Sequence, residues 1–164
     1  MERLILFAAT LGPVGLKLPA PGTFGSLTGL VVYWLLVFPG AFEPMFIHSA
    51  FGILAFFAIP ICGKAEIILG KEDPNEVVLD EFVAQPLVFI GIQWASPVHL
   101  FDTRSLLVLA CGFALFRFFD ILKPLGISRL QSIPGGTGVV ADDLAAALAS
   151  GLLLWWISGN LPIS

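Results

Sequence analysis

The chain has 164 residues, 57% of them apolar and 12% charged, with a mean hydropathy of +0.95. Soluble domains carry about 25% charged residues, so lipid is expected to be the solvent for much of this surface. Twelve acidic against eight basic side chains leave a net charge of −4, which excludes the basic footprint of a nucleic-acid binder.

No polar linker, low-complexity tract or internal repeat divides the chain, and one domain is expected over residues 1–164. Arg3 precedes a short apolar stretch at 4–9 that soon turns polar, so this segment is expected to be retained and not cleaved as a signal peptide. A loop at 19–26, Pro-Ala-Pro-Gly-Thr-Phe-Gly-Ser, then delivers Thr23 and Ser26 to the first of five charge-free apolar runs, 26–42, 46–63, 82–97, 106–116 and 144–157. A spanning helix wants about 20 residues. Several runs must therefore borrow flanking residues, with charged neighbours turned into the bundle or snorkelling to the interface, or else be buried or re-entrant. The expected fold is all-α: an integral membrane bundle of about four to five short transmembrane or re-entrant helices.

After the second run, Asp-Pro-Asn-Glu at 73–76 predicts a helix starting at Pro74, with Asp73 as N-cap and Glu76 in its first turn. That helix enters the membrane through Asp80 and Glu81, and Asp73, Glu76 and Asp80 share one stripe of it. Lys123-Pro124 should end the helix of the fourth run, which leaves Arg117 and Asp120 three apart on one face of its last turns. Gly-Gly-Thr-Gly at 135–138 leads into the last helix, with Asp142 and Asp143 at its membrane entrance. Cys62 and Cys111 lie in apolar runs, where a free thiol behaves as a small hydrophobe, and neither is expected in a disulfide.

Threaded as five crossings, the chain puts residues 1–25, 64–81 and 117–143 on one side and the links 43–45 and 98–105 on the other. Seven of the eight basic residues share the first side, and Arg104 alone faces them. The positive-inside tendency makes the first side cytoplasmic. Ten of the twelve acids gather there too, leaving Glu43 and Asp102 opposite. Acids contribute little to orientation, so their concentration points to chemistry.

Each polar segment has a bland explanation and a chemical one. Thr23 and Ser26 sit where a helix start attracts anions, or Thr23 is simply an N-cap. Asp80 and Glu81 suit a hard cation such as magnesium, or pair with Lys64, Lys71 or Arg117. Glycines 135–138 let backbone donors approach an anion, while one of Asp142 and Asp143 could merely serve the helix dipole. Arg117 and Lys123 are favoured at a helix C-terminus and also suit phosphate. Their joint placement on one face favours a metal and phosphate site at headgroup level. Cys111 and Arg117 have the Cys-x5-Arg spacing of cysteine-dependent phosphatases, but the residues between them read as helix, whose backbone donors are already used. His48 and His99 fall at or near the opposite side, which disfavours phosphohistidine and Ser-His-Asp chemistry.

The segments Ala-Pro-Gly-Thr-Phe-Gly-Ser at 20–26, Asp-Pro at 73–74 with Asp-Glu at 80–81, Phe-Arg-Phe-Phe-Asp-Ile-Leu-Lys-Pro at 116–124, and Gly-Gly-Thr-Gly then Asp-Asp at 135–143 together resemble the phosphatidylglycerophosphatase A family. The order of these motifs covers most of the chain. Ala84, Gly126 and Ala147 depart from the family pattern without removing a charged or hydroxyl group. The resemblance implies a magnesium-dependent phosphatase of the bacterial inner membrane, active site facing the cytoplasm, that converts phosphatidylglycerophosphate to phosphatidylglycerol. It implies that Asp80, Glu81, Asp142 and Asp143 hold metal or activate water, joined by Asp120 in catalysis. Thr23, Ser26, Arg117 and Lys123 are then expected to hold phosphate, with Lys64 assisting. The nucleophile stays open between a water and an aspartate that becomes phosphorylated. A rival expectation is a small transporter or channel subunit with an acidic cation site, although transport sites usually lie near the midplane; a non-catalytic scaffold with paired acids is a third.

Overall fold

The computed structural model describes residues 1–40, 42–94 and 103–160, and the described residues form helices and no strand. His99, Asp102 and the end of the third run, 95–97, lie outside them. The short α1 (Glu2–Ala9) and α2 (Pro13–Lys17) lead into α3 (Pro21–Val37) and α4 (Pro44–Leu69). Then come the short α5 (Leu79–Ala84) with a 3-10 helix (Gln85–Phe89), α6 (Thr103–Leu122), a 3-10 turn (Pro124–Gly126), α7 (Ser128–Gln131) and α8 (Gly136–Asn160).

Three helices are long and apolar enough to cross a membrane, Pro44–Leu69, Thr103–Leu122 and Gly136–Gly159, and α3 is a shorter apolar helix. The long helices outrun the charge-free stretches because they take in charged flanks: Arg117 and Asp120 in α6, Asp142 and Asp143 in α8, all turned inward, and Lys64 on the exposed face of α4. In α4, Ile47, Phe51, Ala55, Ala58, Cys62 and Ala65 are buried at spacings of three and four, while Ile53, Phe56 and Phe57 are exposed. An apolar residue on both faces is what a lipid-facing helix needs. The small residues of the inner stripe let neighbouring backbones come close.

The run at 82–97 does not become a spanning helix. After Ala84 the backbone tightens to a 3-10 helix with Pro86 in its first turn, where proline supplies no N–H to an α-helical ladder. Irregular backbone is tolerated at membrane depth only when protein encloses it, and Val83, Ala84, Gln85, Val88 and Phe89 are fully buried. Nor does a helix begin at Pro74. Asp73 adopts φ 44, its N–H donates to Glu66 Oε1 at 2.9 Å, and a turn runs from Pro74 to Val77. The N–H of Val78 is tied to the Ala9 carbonyl at 2.9 Å, so α5 starts only at Leu79, and Asp73, Glu76 and Asp80 share no helical stripe.

Two further ends differ from expectation. The N-cap of α3 is Ala20, with Pro21 at the first position, so Thr23 lies inside the first turn and does not cap. The helix of the glycine-rich segment starts at Gly136, which places Asp142 and Asp143 in its second turn. By contrast α6 stops at Leu122, immediately before Lys123-Pro124, as predicted.

What sets the spacing at the acidic end is contact between α3 and α5. A Cβ on Gly29 would stand 2.4 Å from the Phe82 carbonyl oxygen, and one on Gly25 would stand 2.8 Å from Val78 Cβ. Glycine at these positions brings α3 against the backbone of α5, and the same stripe continues upward to Gly22 beside Glu81.

Candidate active site

Asp80 and Glu81 project from the first turn of α5, and Asp143 faces them from the second turn of α8. One carboxylate oxygen from each can be chosen so that all lie within 4.8 Å of one another. Asp80 is 6% and Asp143 4% exposed. Asp80 Oδ1, Glu81 Oε2 and Asp143 Oδ2 are buried with no hydrogen-bond partner among the described residues. Unpaired carboxylates in such surroundings are costly. Burial pushes Asp80 up to about 8 and Glu81 well above its ordinary range, and the neighbouring carboxylates add to both shifts. Three anionic oxygens with no thiolate or imidazole among them form a donor set that fits a hard divalent cation, magnesium included.

Cations flank this cluster. Arg117, from the last turns of α6, donates to Ser26 Oγ at 3.1 Å, pairs with Asp120, and stands 3.8 Å from Glu81 Oε1. Ser26 in turn donates to the Gly22 carbonyl at 2.8 Å. Lys123, held at φ 42 just beyond α6, is ion-paired with Asp142. A cavity of about 250 Å³ opens between them. Its walls are residues 20–23 at the start of α3, the 73–77 turn, the acids of α5 and α8, Arg117 and Lys123. With all four carboxylates of α5 and α8 ionised against two cations the cavity would be anionic, and a phosphate dianion would then need further positive charge to enter. A bound metal ion would supply it.

Of the residues expected at the site, Thr23, Asp80, Glu81, Arg117, Lys123, Asp142 and Asp143 all line this cavity. Ser26 and Asp120 stand behind the wall and reach it through Arg117. Lys64 is exposed on α4 and does not line it. Asp142, expected with the metal ligands, lies outside the group of three and holds Lys123. The glycines at 135–138 do not line this cavity, and a Cβ on Gly136 would stand 2.0 Å from the Ile59 carbonyl oxygen, so that glycine serves packing of α8 on α4. Cys111 and Arg117 both lie within α6, and both cysteines are free. His48 stacks on Tyr33 with ring centroids 5.3 Å apart, near the beginning of α4 and away from the acids.

The sequence did not single out Gly22, Asp73 or Asn75 as cavity residues. Asp73 accepts from Gln131 of α7, linking the turn over the cavity to the segment after α6. The only signal was a pair of short polar residues around a proline, which equally describes a helix cap.

Helices long and apolar enough to span a membrane, with an acidic, cation-flanked cavity at one end, define a membrane-type helical bundle whose acidic cluster fits a divalent cation. Residues 7–158 match the family described as phosphatidylglycerophosphatase A. The chain is 33% identical to the phosphatidylglycerophosphatase A of Haemophilus influenzae over 144 residues, 87% of this chain and 82% of that protein. It is 27% identical to the Escherichia coli protein of the same name over 159 residues, 96% of this chain and 82% of that one. It is also 36% identical over 146 residues, 85% of this chain and 86% of the other, to a Bacteroides thetaiotaomicron protein described as "Putative phosphatidylinositol-3-phosphatase". No solved structure matches the chain. The chain belongs to the phosphatidylglycerophosphatase A family and is a phosphatase.

Proposed function

We propose that this enzyme hydrolyses the terminal phosphate monoester of phosphatidylglycerophosphate, with magnesium, to phosphatidylglycerol and inorganic phosphate, at the cytoplasmic face of the bacterial inner membrane. The observation that carries the reading is the set of three orphaned, buried carboxylate oxygens beside Arg117 and Lys123. The cytoplasmic placement is supported by the cations near that end, against Arg104 at the start of α6.

Asp80, Glu81 and Asp143 would hold the cation, which would supply charge neutralisation at the phosphoryl oxygens and lower the pKa of the attacking water. Arg117 is oriented by Ser26 and Asp120 to bind the phosphoryl oxygens, and Thr23 lines the opposite wall. Lys123, steadied by Asp142, guards the cavity rim and meets the incoming anion. A water attacks phosphorus in line with the glycerol oxygen and gives a proton to a wall carboxylate; the P–O bond to that oxygen breaks, and the carboxylate's proton is returned to the leaving glycerol oxygen, which departs as the alcohol. Lys64 could assist only by attracting the anionic headgroup from its exposed position.

The test is phosphate release by the purified protein from phosphatidylglycerophosphate, with and without magnesium, for wild type and Asp143→Asn. Release that needs no metal, or a variant as active as wild type, overturns the reading. Trapping a phosphorylated aspartate would replace direct water attack with a two-step route. The name of the Bacteroides relative favours a second substrate. Faster release from phosphatidylinositol 3-phosphate would change the substrate and leave the chemistry in place.

A further inference from the structure

Beneath the acidic site, on the outer surface, runs an apolar groove of about 520 Å³. Leu87, Val88 and Ile90 of the broken segment form one bank, and Leu144, Leu148 and Leu152 of α8 form the other. Small residues make its floor: Ala147 is buried, and a Cβ on Gly151 would stand 2.8 Å from the Val88 carbonyl oxygen. The groove exists because the third apolar run fails to continue as an α-helix. A full helix there would have laid side chains along α8.

We propose that this groove holds one acyl chain of the lipid phosphate whose headgroup is dephosphorylated above it, an inference that rests on the reading of the site as a phospholipid phosphatase. Continuity with that site singles out the occupant. The groove begins at Leu144, the residue after Asp143, and Asp143 lies one helical turn above Ala147 on the same side of α8. From Leu144 to Trp155 the helix rises about 16 Å, close to one leaflet's share of a hydrocarbon core about 30 Å thick. A phospholipid with its phosphate at the carboxylates therefore has a chain at the right place, direction and depth. The bank is open sideways, with Ile90 56%, Leu148 66% and Leu152 60% exposed, so a chain enters laterally from the bilayer. The volume and apolar lining also suit a ligand site.

Two measurements on the full-length protein in phosphatidylcholine vesicles test this. In the first, a diacyl phosphatidylglycerophosphate carrying a photoreactive diazirine at mid-chain is activated by light, and the adducts are mapped. Adducts concentrated on Leu148, Leu152 and Ile90, and suppressed by excess unlabelled lipid phosphate but not by excess phosphatidylcholine, are expected. Adducts spread evenly over the lipid-facing residues of α4 and α6, or equally suppressed by phosphatidylcholine, mean ordinary bilayer lipid and overturn the proposal. In the second, the ratio of kcat/KM for the diacyl substrate to that for its chainless analogue is compared among wild type, Leu148→Trp and Leu152→Trp. Filling the groove should lower that ratio about tenfold or more, while Phe57→Trp on the outer face of α4 leaves it at the wild-type value. An unchanged ratio in both groove variants also overturns the proposal. If wild type releases no phosphate from either substrate, the phosphatase reading falls, and the adduct map still decides whether the groove takes the chain.

Discussion

Gly22→Ala should inactivate the enzyme without unfolding it. The new methyl would stand 2.1 Å from Glu81 Oε1, 3.2 Å from its Cδ and 3.4 Å from an Arg117 nitrogen. Ordinary contact begins near 3.4 Å, so the Glu81 carboxylate must retreat by about 1.3 Å. The atom in the way is the far end of a flexible side chain, and the fold can absorb its movement. The acidic cluster cannot, because misplacing a reacting group by about 1 Å costs on the order of a hundredfold, equivalent to about 2.7 kcal/mol of barrier. The expected result is a drop in kcat/KM of roughly a hundredfold, a weaker response to magnesium, and a Tm within about 3 °C of wild type, the change expected for about 1 kcal/mol in a chain of this size. Phosphate release across a magnesium titration and thermal unfolding in detergent measure the two. Activity within about threefold of wild type, with the same magnesium response, would refute the argument that Glu81 acts from where Gly22 lets it stand.

The companion substitution Gly29→Ala meets a backbone atom, the Phe82 carbonyl oxygen at 2.4 Å. It should destabilise the protein by about 1–3 kcal/mol, seen as a lower Tm. Arg117→Ala leaves Asp120 and Glu81 without their cation and should cost about 3–5 kcal/mol. Arg117→Lys should recover most of that stability but not the activity, a split that thermal unfolding and phosphate release resolve. In chelator-treated protein, Asp80 and Glu81 bind protons more tightly folded than unfolded. Stability is then highest below the unfolded carboxylate range and falls as pH rises from about 4 towards the folded value of about 8. Tm of the chelated protein should be lower at pH 8 than at pH 6, and saturating magnesium should narrow the gap.

Much of this was legible in the sequence where one local rule decided the outcome. Pro124 ended α6 because the residue before a proline leaves the α region. The cavity residues Asp80, Glu81, Arg117, Lys123, Asp142 and Asp143 were recognisable because charge beside apolar runs is rare. The errors fell where a distant partner overrode a local preference. Asp73-Pro74 has the form of a helix cap, yet Glu66 and Ala9 claim the backbone donors of Asp73 and Val78 and hold the segment as a turn. Glycines 135–138 have the form of an anion loop, yet they do not line the cavity, and Gly136 is needed where the backbone of α4 comes close. The break at Pro86 was hidden because a buried, enclosed segment and a spanning helix share the same apolar composition.

The acidic cluster also has an order of assembly. Asp80 and Glu81 are made well before Asp143, which arrives only on α8, the last described helix. Until that helix is in place, the earlier part of the chain holds two carboxylates without the third ligand beside them. A chain cut short before α8 would lack the third carboxylate of the cluster, so the proposed cation site is complete only once α8 has packed beside α5.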